Sequence, residues 1–206
     1  MKFNIRKIQI ACDGGAATGK STGAKMISKK FKLKFLSSGL LYRYASFLIL
    51  KYRPKNEFNF LSNKFKNLDY SKLNKINLYT PKISEYSSII AKKNKIRAIL
   101  KKFQLNFAKK NKNCCIEGRD ISTKILPNSN VKFYFTCNLS IAAKRRYKEL
   151  KKIDPTVKLK NVKKALRIRN LSDIKRKHSP LLKHRNSVSI DTGKLNKQDM
   201  LKKMTK

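Results

Sequence analysis

The stretch "CDGGAATGKST" follows a short apolar run, "IQIAC", and its residue types and spacing suit phosphate binding. Its fixed positions fit G-x-x-x-x-G-K-[ST], the P-loop pattern. The glycines let the backbone aim several N–H groups at one anion, the lysine adds a positive charge, and the serine hydroxyl is a Mg²⁺ ligand. The sequence therefore predicts a loop that binds a nucleoside triphosphate. The loop consists of Gly14, Gly15, Ala16, Ala17, Thr18, Gly19, Lys20, Ser21 and Thr22.

Four further stretches combine arginine with serine or with an acid: "SSGLLYR", "SSIIAKKNKIR", "EGRD" and "RNLSDIKRKHSPL". Arginine suits phosphate because its planar fork binds bidentately and keeps its charge. Each arginine alone also fits a solvated surface role, and Ser38 fits a helix N-cap. Acids are scarce, so Asp120 beside Arg119 and Asp173 between two arginines indicate a site or a structural ion pair. The candidates are Ser38, Arg43, Ser88, Arg97, Glu117, Arg119, Asp120, Arg169, Asp173 and Arg176.

Strand and helix patterns alternate along the chain, which predicts an α/β fold with a parallel sheet covered by helices on both faces. Apolar runs predict five strands, and the P-loop lies between the first strand and an amphipathic helix. Parallel sheets bind ligands at the carboxyl ends of their strands, so the P-loop and the polar clusters are expected at one rim. The strands are predicted at residues 8–11, 33–39, 113–120, 131–138 and 187–193. The helices are predicted at residues 20–31, 40–52, 81–110 in two pieces, 140–152, 158–174 and 196–206. Residues 53–80 have no strong period and read as an insertion with little core of its own.

The chain has 206 residues and a formal net charge of +41, from 52 Lys+Arg against 11 Asp+Glu. Such a charge is compatible with nucleic-acid binding. The lysines are instead spread along the whole chain together with many Asn and Ile, all of which have A/T-rich codons. This distribution favours a compositional origin and a protein with no specific nucleic-acid partner.

Neither a signal peptide nor an apolar run long enough to span a bilayer is recognisable, so the sequence predicts a cytoplasmic protein with no membrane partner. The four cysteines lie in apolar runs without a C-x-x-C pair and are predicted to be reduced core thiols. Self-repulsion of so many cations favours a monomer.

The P-loop and the four arginine stretches together resemble the bacterial cytidylate kinases, in the same order and with similar spacing. A lone P-loop is shared by many families. The set S-G-x-x-Y-R, S-x-I-A-x-x-x-x-I-R, G-R-D and R-x-x-x-D-x-x-R-x-x-x-P-L is far more specific, and it covers most of the chain outside residues 53–80.

The resemblance implies a P-loop kinase fold whose five-stranded parallel sheet carries a helical lid. It also implies the transfer of the γ-phosphoryl group of ATP to CMP, and to dCMP, with Mg²⁺. It divides the chain into a single domain over residues 1–206, a shortened insertion for the monophosphate at residues 53–80 and a lid at residues 167–182.

The resemblance also assigns roles to the candidates. Ser88, Arg97 and Asp120 match the positions that read cytosine, and Ser38 lies with the monophosphate site. Arg43, Arg119 and Arg176 match arginines around the acceptor phosphate; Lys20, Arg119 and Arg176 are the predicted catalytic residues. Arg169 and Asp173 match lid residues that hold the ribose, Ser21 is the expected Mg²⁺ ligand, and Glu117 is expected to act through a metal-bound water.

The chain departs from the family pattern at several positions. Ser37 and Glu117 stand where the family commonly has aspartate, Gly15 replaces a proline, Asn170 replaces an acid, and Ser122 replaces a glycine. These changes put activity and base preference in question. Two other functions stay open at this level: a kinase for UMP or AMP, and a basic P-loop NTPase that binds RNA.

Overall fold

The computed structural model describes residues 7–206, and within them the chain divides into two compact units. The first unit comprises the chain up to Leu36 together with Lys112–Lys206, and the second is Ser37–Asn111. The second unit is thus wider than the insertion predicted at residues 53–80. The division into one domain, an insertion and a lid stays a prediction.

The first unit contains a five-stranded parallel sheet, as predicted, with the strand order β2-β3-β1-β4-β5. β1 is the central strand and pairs in parallel with β3 and β4, while β4 pairs with β5. All five predicted strands are confirmed. They are β1 (Gln9–Gly14), β2 (Lys34–Ser37), β3 (Cys114–Gly118), β4 (Val131–Thr136) and β5 (Val188–Asp191).

The helices follow the predicted pattern, with three additional elements. Residues 53–80 contain an α-helix and a 3-10 helix, Tyr70–Lys75, where no element was predicted. A π-helical turn, Ile121–Ile125, follows β3. The α-helices are α1 (Lys20–Lys30), α2 (Ser38–Tyr52), α3 (Glu57–Lys66), α4 (Pro81–Ile90), α5 (Asn94–Lys110), α6 (Leu139–Lys151), α7 (Leu159–Lys175) and α8 (Lys197–Met204).

The core of the first unit fixes the start of α1 against the sheet. β1 is buried along its whole length, as expected for a central strand with both faces covered. Gly23 on α1 lies so close to β4 that a Cβ there would be 2.6 Å from a ring carbon of Phe135. This close approach holds the helix N-terminus, and with it the P-loop, at the carboxyl end of β1.

The cysteines are free thiols. Cys12, Cys114 and Cys115 are buried, which confirms their predicted place in the core, whereas Cys137 is half-buried. The Cys12 and Cys115 Sγ atoms are 3.8 Å apart on neighbouring strands. Burial is the main reason that the pKa of Cys12 is raised well above its ordinary value, so this thiol stays neutral and packs as a small apolar side chain.

The second unit is built from α2, α3, α4 and α5, and residues 53–80 contribute to its core. Leu61, Phe65, Leu73 and Leu78 are all buried, and Phe65 packs against Tyr44 on α2 and Phe103 on α5. Leu61 and Phe65 are four positions apart and therefore share one face of α3. Asn and Lys on the other faces of a ten-residue helix dilute that period in the sequence.

Within residues 7–206, the model has no helix with the length and apolar character required to cross a membrane.

Candidate active site

The P-loop connects β1 to α1 through a backbone that requires glycine at its first position. Gly14 has a φ of 154°, and a Cβ there would be 2.4 Å from the carbonyl oxygen of Phe135. Ala17 and Gly19 also have positive φ, at 57° and 75°. The Thr18 hydroxyl donates to the Gly15 carbonyl oxygen at 3.0 Å and closes the turn. The loop therefore has a fixed shape, ending in the N-terminus of α1.

Lys20 and Ser21 both contact Glu117 at the end of β3. The Lys20 ammonium donates to Glu117 Oε2 at 2.6 Å, and the Ser21 hydroxyl donates to Glu117 Oε1 at 3.1 Å. Lys20 is only 8% exposed and Glu117 only 3%. A glutamate in place of the usual aspartate thus reaches both residues of the phosphate-binding motif with one carboxylate.

Burial determines the titration of Lys20. Loss of hydration lowers the pKa of its ammonium group from the ordinary value, and the nearby Arg119 lowers it further. The Glu117 carboxylate opposes both effects, because it favours the charged form of Lys20. Glu117 is therefore the group that keeps a buried lysine available as a cation.

Arg119 joins the P-loop to α7. Its Nη1 donates to the carbonyl oxygen of Gly14 at 2.7 Å, and its Nε donates to Asp173 Oδ2 at 2.8 Å. Arg176 directly follows α7 and donates to the Ser179 carbonyl oxygen. Its Nη1 lies 3.5 Å from Asp173 Oδ1, and its Nη2 lies 3.7 Å from Asp120 Oδ1. Seven predicted site residues thus form two contact groups: Lys20 and Ser21 with Glu117, and Arg119 and Arg176 with Asp173 and Asp120.

Asp173 is the centre of the arginine cluster. Burial alone would raise its pKa, but the guanidinium groups of Arg119, Arg169 and Arg176 outweigh burial and lower the pKa below its ordinary value. The carboxylate is therefore charged at neutral pH and holds the arginines together. Arg169, half-buried on α7, acts on the same carboxylate.

Asp13, immediately before the P-loop, is a site residue that sequence reasoning missed. It is fully buried and accepts hydrogen bonds from the Ile121 and Ser122 N–H groups at 2.8 and 2.7 Å. The Ser122 hydroxyl adds a third, at 2.6 Å. Burial raises the pKa of Asp13 even though these bonds oppose the rise.

These bonds fix the segment that directly follows Arg119 and Asp120. They also give Ser122, which departs from the family's glycine, a structural role as an extra donor to Asp13. Asp13 could have been found from the sequence, because it is an acid at the end of a buried strand in a chain with few acids.

The loop after β5 supports the P-loop from the other side. The Thr192 hydroxyl donates to the Thr18 carbonyl oxygen at 2.9 Å. Arg145 on α6 holds Thr192 in turn, with bonds of 2.9 Å to its hydroxyl and 2.7 Å to its carbonyl oxygen. Sequence reasoning missed this pair, because the two residues are 47 positions apart and neither belongs to a recognisable motif.

The second unit carries the other predicted residues, Ser38 and Arg43 on α2, Ser88 on α4 and Arg97 on α5. The residue that caps α2 is Ser37, whose side chain accepts from the Leu40 N–H at 3.3 Å. The alternative that Ser38 is the N-cap is therefore wrong, and Ser38 is the buried first residue of the helix. Serine at position 37 replaces the family's aspartate with another good capping residue.

Arg43 and Arg97 are each positioned by a tyrosine ring. Arg43 lies 4.9 Å from the ring centroid of Tyr79 and donates to the Ser84 hydroxyl. Arg97 lies 5.8 Å from the ring centroid of Tyr42, and its Nη1 donates to the Ala91 carbonyl oxygen at 3.2 Å. The Ser88 hydroxyl makes a long contact of 3.5 Å with the Ser84 carbonyl oxygen.

The fold and the loop together define the class of protein. A P-loop at the end of the central strand of a five-stranded parallel sheet, with an acid at the end of β3 on its lysine, is the architecture of a P-loop kinase. Solved structures agree at the level of fold. A shikimate kinase from Acinetobacter baumannii has a TM-score of 0.51 at 14% identity, over 97% of this chain and 92% of that one.

The sequence comparisons identify the family. The family model described as cytidylate kinase matches residues 10–206. A cytidylate kinase from Bartonella tribocorum is 36% identical over 93% of this chain and 89% of its own length. Cytidylate kinases from Rickettsia rickettsii and Clostridium tetani are each 32% identical, over 98% and 97% of this chain and 93% of their own lengths. The chain belongs to the cytidylate kinase family.

Proposed function

We propose that this protein is an ATP-dependent kinase that phosphorylates CMP, and also dCMP, yielding ADP and the nucleoside diphosphate. Membership of the family supports the reaction. The observation that carries the proposal for this chain is the Glu117 carboxylate, which contacts both Lys20 and Ser21. This carboxylate holds the lysine and the serine hydroxyl of the motif side by side. A phosphate-binding loop needs both groups, whereas a simple glycine-rich turn needs neither.

The donor triphosphate binds in the P-loop, where backbone N–H groups and the N-terminus of α1 offer hydrogen bonds to its oxygens. Lys20 leaves Glu117 for the β- and γ-phosphates as a mobile point charge. Because the cation is already buried and paired, little reorganisation is required when phosphate replaces the carboxylate.

Ser21 and Glu117 fit a magnesium ion. A hydroxyl and a carboxylate oxygen 3.1 Å apart are ligands of the kind that Mg²⁺ prefers, together with phosphate oxygens and water. Ser21 would bind the ion directly and Glu117 through a water. When bound, the ion would neutralise charge on the phosphate chain, and the protein's own contribution is to place these two oxygens beside the P-loop.

The acceptor phosphate is an anion that attacks without strong base catalysis. One of its oxygens forms a bond to the γ-phosphorus of ATP as the bond to the ADP oxygen breaks. Catalysis then rests on positioning and on a positive field around the transferred group. Arg119 and Arg176 supply that field, and Arg43 binds the acceptor phosphate.

Cytosine is read by Asp120, Arg97 and Ser88. The exocyclic amine donates to the carboxylate of Asp120, while arginine and serine serve the ring nitrogen and the carbonyl oxygen. Uracil would place a carbonyl against Asp120, and that repulsion gives the discrimination. Ser38 lies with the monophosphate site, and Arg169 and Asp173 hold the ribose.

Residues 167–182 act as a lid that excludes water while the phosphoryl group moves. The Asp173 cluster supports this role because it ties α7 and Arg176 to the P-loop carbonyl of Gly14 through Arg119. We also propose a monomer that acts on free nucleotides in the cytoplasm. Its four free thiols suit a reducing compartment.

ADP release with separate additions of CMP, dCMP, UMP, AMP, GMP and RNA tests the proposal. We expect release to depend on CMP or dCMP and to vanish in Lys20→Ala. Equal or faster release with UMP or AMP would assign a different acceptor. Release stimulated by RNA in the absence of any monophosphate would replace the kinase with an RNA-dependent NTPase.

A further inference from the structure

The P-loop makes one contact that the proposed chemistry does not use. The Ala16 N–H donates to the side-chain oxygen of Asn170 at 2.9 Å. A Cβ added at Gly15 would be 3.2 Å from the same oxygen and 3.4 Å from the amide nitrogen. The amide of Asn170 therefore lies directly over the first turn of the phosphate-binding loop.

Asn170 lies on α7 among other residues of the candidate site. Arg169 precedes it, and Asp173, one helical turn later, is tied to Arg119, which in turn donates to Gly14 at the start of the same loop. The contact between Asn170 and Ala16 thus adds to other links between α7 and the P-loop, among them the packing of Ala16 against Val162 and Leu166.

A backbone N–H has one hydrogen to donate. The P-loop binds phosphate with the N–H groups that its backbone turns inward, and Ala16 is the third residue of the G-x-x-x-x-G-K-S motif. While its hydrogen lies on Asn170 Oδ1, Ala16 does not donate to a phosphate oxygen. A triphosphate oxygen that used this donor would have to displace a neutral amide.

We propose that Asn170 competes with the donor triphosphate for the N–H of Ala16, so that this residue of α7 sets the affinity for ATP. The inference rests on the proposed function, since it assumes that the P-loop binds the triphosphate. Because the Asn170 side chain is neutral, its hydrogen bond to the Ala16 N–H is weak enough for the triphosphate to displace it. A carboxylate in its place would hold the N–H more strongly, because hydrogen bonds to an ionised acceptor are roughly twice as strong, and it would also repel the phosphates.

Calorimetric titration with the β,γ-imido analogue of ATP tests this, since the analogue has the full phosphate chain and does not transfer it. We expect Asn170→Ala to lower the Kd by about two- to tenfold, the worth of one neutral hydrogen bond. Asn170→Asp, which is nearly isosteric, is expected to raise the Kd by about tenfold. Asn161→Ala and Asn161→Asp, on an exposed stretch of the same helix, should leave the Kd unchanged.

Weaker binding in Asn170→Ala would overturn the proposal, because it would mean that Asn170 assists the nucleotide. An unchanged Kd in both Asn170 variants would also overturn it. A wild-type protein that does not bind the analogue at all would instead remove the proposed function. Thermal unfolding of each variant confirms that it is folded, and the Ala16 amide resonance reports directly whether the hydrogen bond has been lost.

Discussion

The two units hold the cations of the candidate site residues in different ways. In the first, Lys20 contacts a buried glutamate, and Arg119 and Arg176 share the buried Asp173. In the second, the contacts of Arg43 and Arg97 include tyrosine rings and neutral oxygens. The first unit thus holds its cations by charge pairs in a dry environment, and the second unit holds its arginines by weaker contacts.

This difference indicates which unit holds its cations more rigidly. A buried carboxylate fixes a cation firmly, but removal of either partner leaves an uncompensated charge. A tyrosine ring holds a guanidinium more weakly and lets it reorient. We therefore expect substitutions in the first unit to damage chemistry and stability, and substitutions around the second unit's arginines to affect mainly substrate binding.

The largest effect is expected at Lys20. Lys20→Ala should lower kcat by roughly a thousandfold, since one preorganised charge at a phosphate is removed from a buried site. Steady-state ADP formation with saturating CMP measures it. Lys29→Ala, an exposed lysine of the same helix, is the control and should keep normal turnover. Near-normal turnover in Lys20→Ala would remove the P-loop from the reaction.

The second-largest effect is expected at Asp173, whose ion pairs with arginine can be tested by their contribution to the free energy of unfolding. Asp173→Asn should lower the free energy of unfolding by about 3 kcal/mol at pH 7, because three arginines lose a buried partner. The arginines lower the pKa of Asp173 in the folded state from an ordinary value of 3.8. Its stabilisation is therefore present above pH 3.8 and is lost as the pH falls through the lowered pKa.

Urea unfolding at pH 7 and at successively lower pH measures this dependence. The difference between Asp173→Asn and wild type should shrink as the pH falls below about 4. Glu149→Gln is the control, because its pair with Arg146 is on the surface and should matter little. A difference that stays constant with pH would mean that the carboxylate's charge does not stabilise the fold.

The sequence predicts the local features of this site better than its long-range contacts. The P-loop and the five strands follow from glycine spacing and apolar runs, both of which are properties of neighbouring residues. Asp13 bonds to Ser122 across 109 positions, and Ala16 bonds to Asn170 across 154. No periodicity specifies such partners, because they depend on which strand ends meet at the sheet edge.

The helices and the buried side chains of residues 53–80 were not predicted, for a different reason. The buried residues of this segment are few and separated by polar ones, so the hydrophobic period is weak in any single window. Leu73 and Leu78 are buried from a 3-10 helix and the segment that follows it, neither of which has a helical period to detect. Only packing against the longer helices of the second unit shows which side chains are inside.

Asp120 tests specificity in the first unit. Asp120→Asn should reduce the preference for CMP over UMP by about tenfold, because an amide can donate to the uracil carbonyl where a carboxylate repels it. The ratio of kcat/KM values for the two nucleotides measures the change. Asp199→Asn, an exposed acid on α8, should leave the ratio unaltered. An unaltered ratio in Asp120→Asn as well would remove this residue from base reading.

The smallest effect is expected at Tyr79, whose ring lies against Arg43. Tyr79→Leu should raise the KM for CMP by about two- to fivefold with kcat unchanged, since an exposed cation–π contact contributes about 0.5–1 kcal/mol. Tyr79→Phe keeps the aromatic ring and should therefore keep the KM of the wild type. If the side chain at position 79 served only as apolar surface, leucine and phenylalanine would give the same KM. If Tyr79→Leu instead lowers kcat as strongly as a substitution in the arginine cluster of the first unit, the second unit holds its arginines as rigidly as the first, and the contrast between the two units fails.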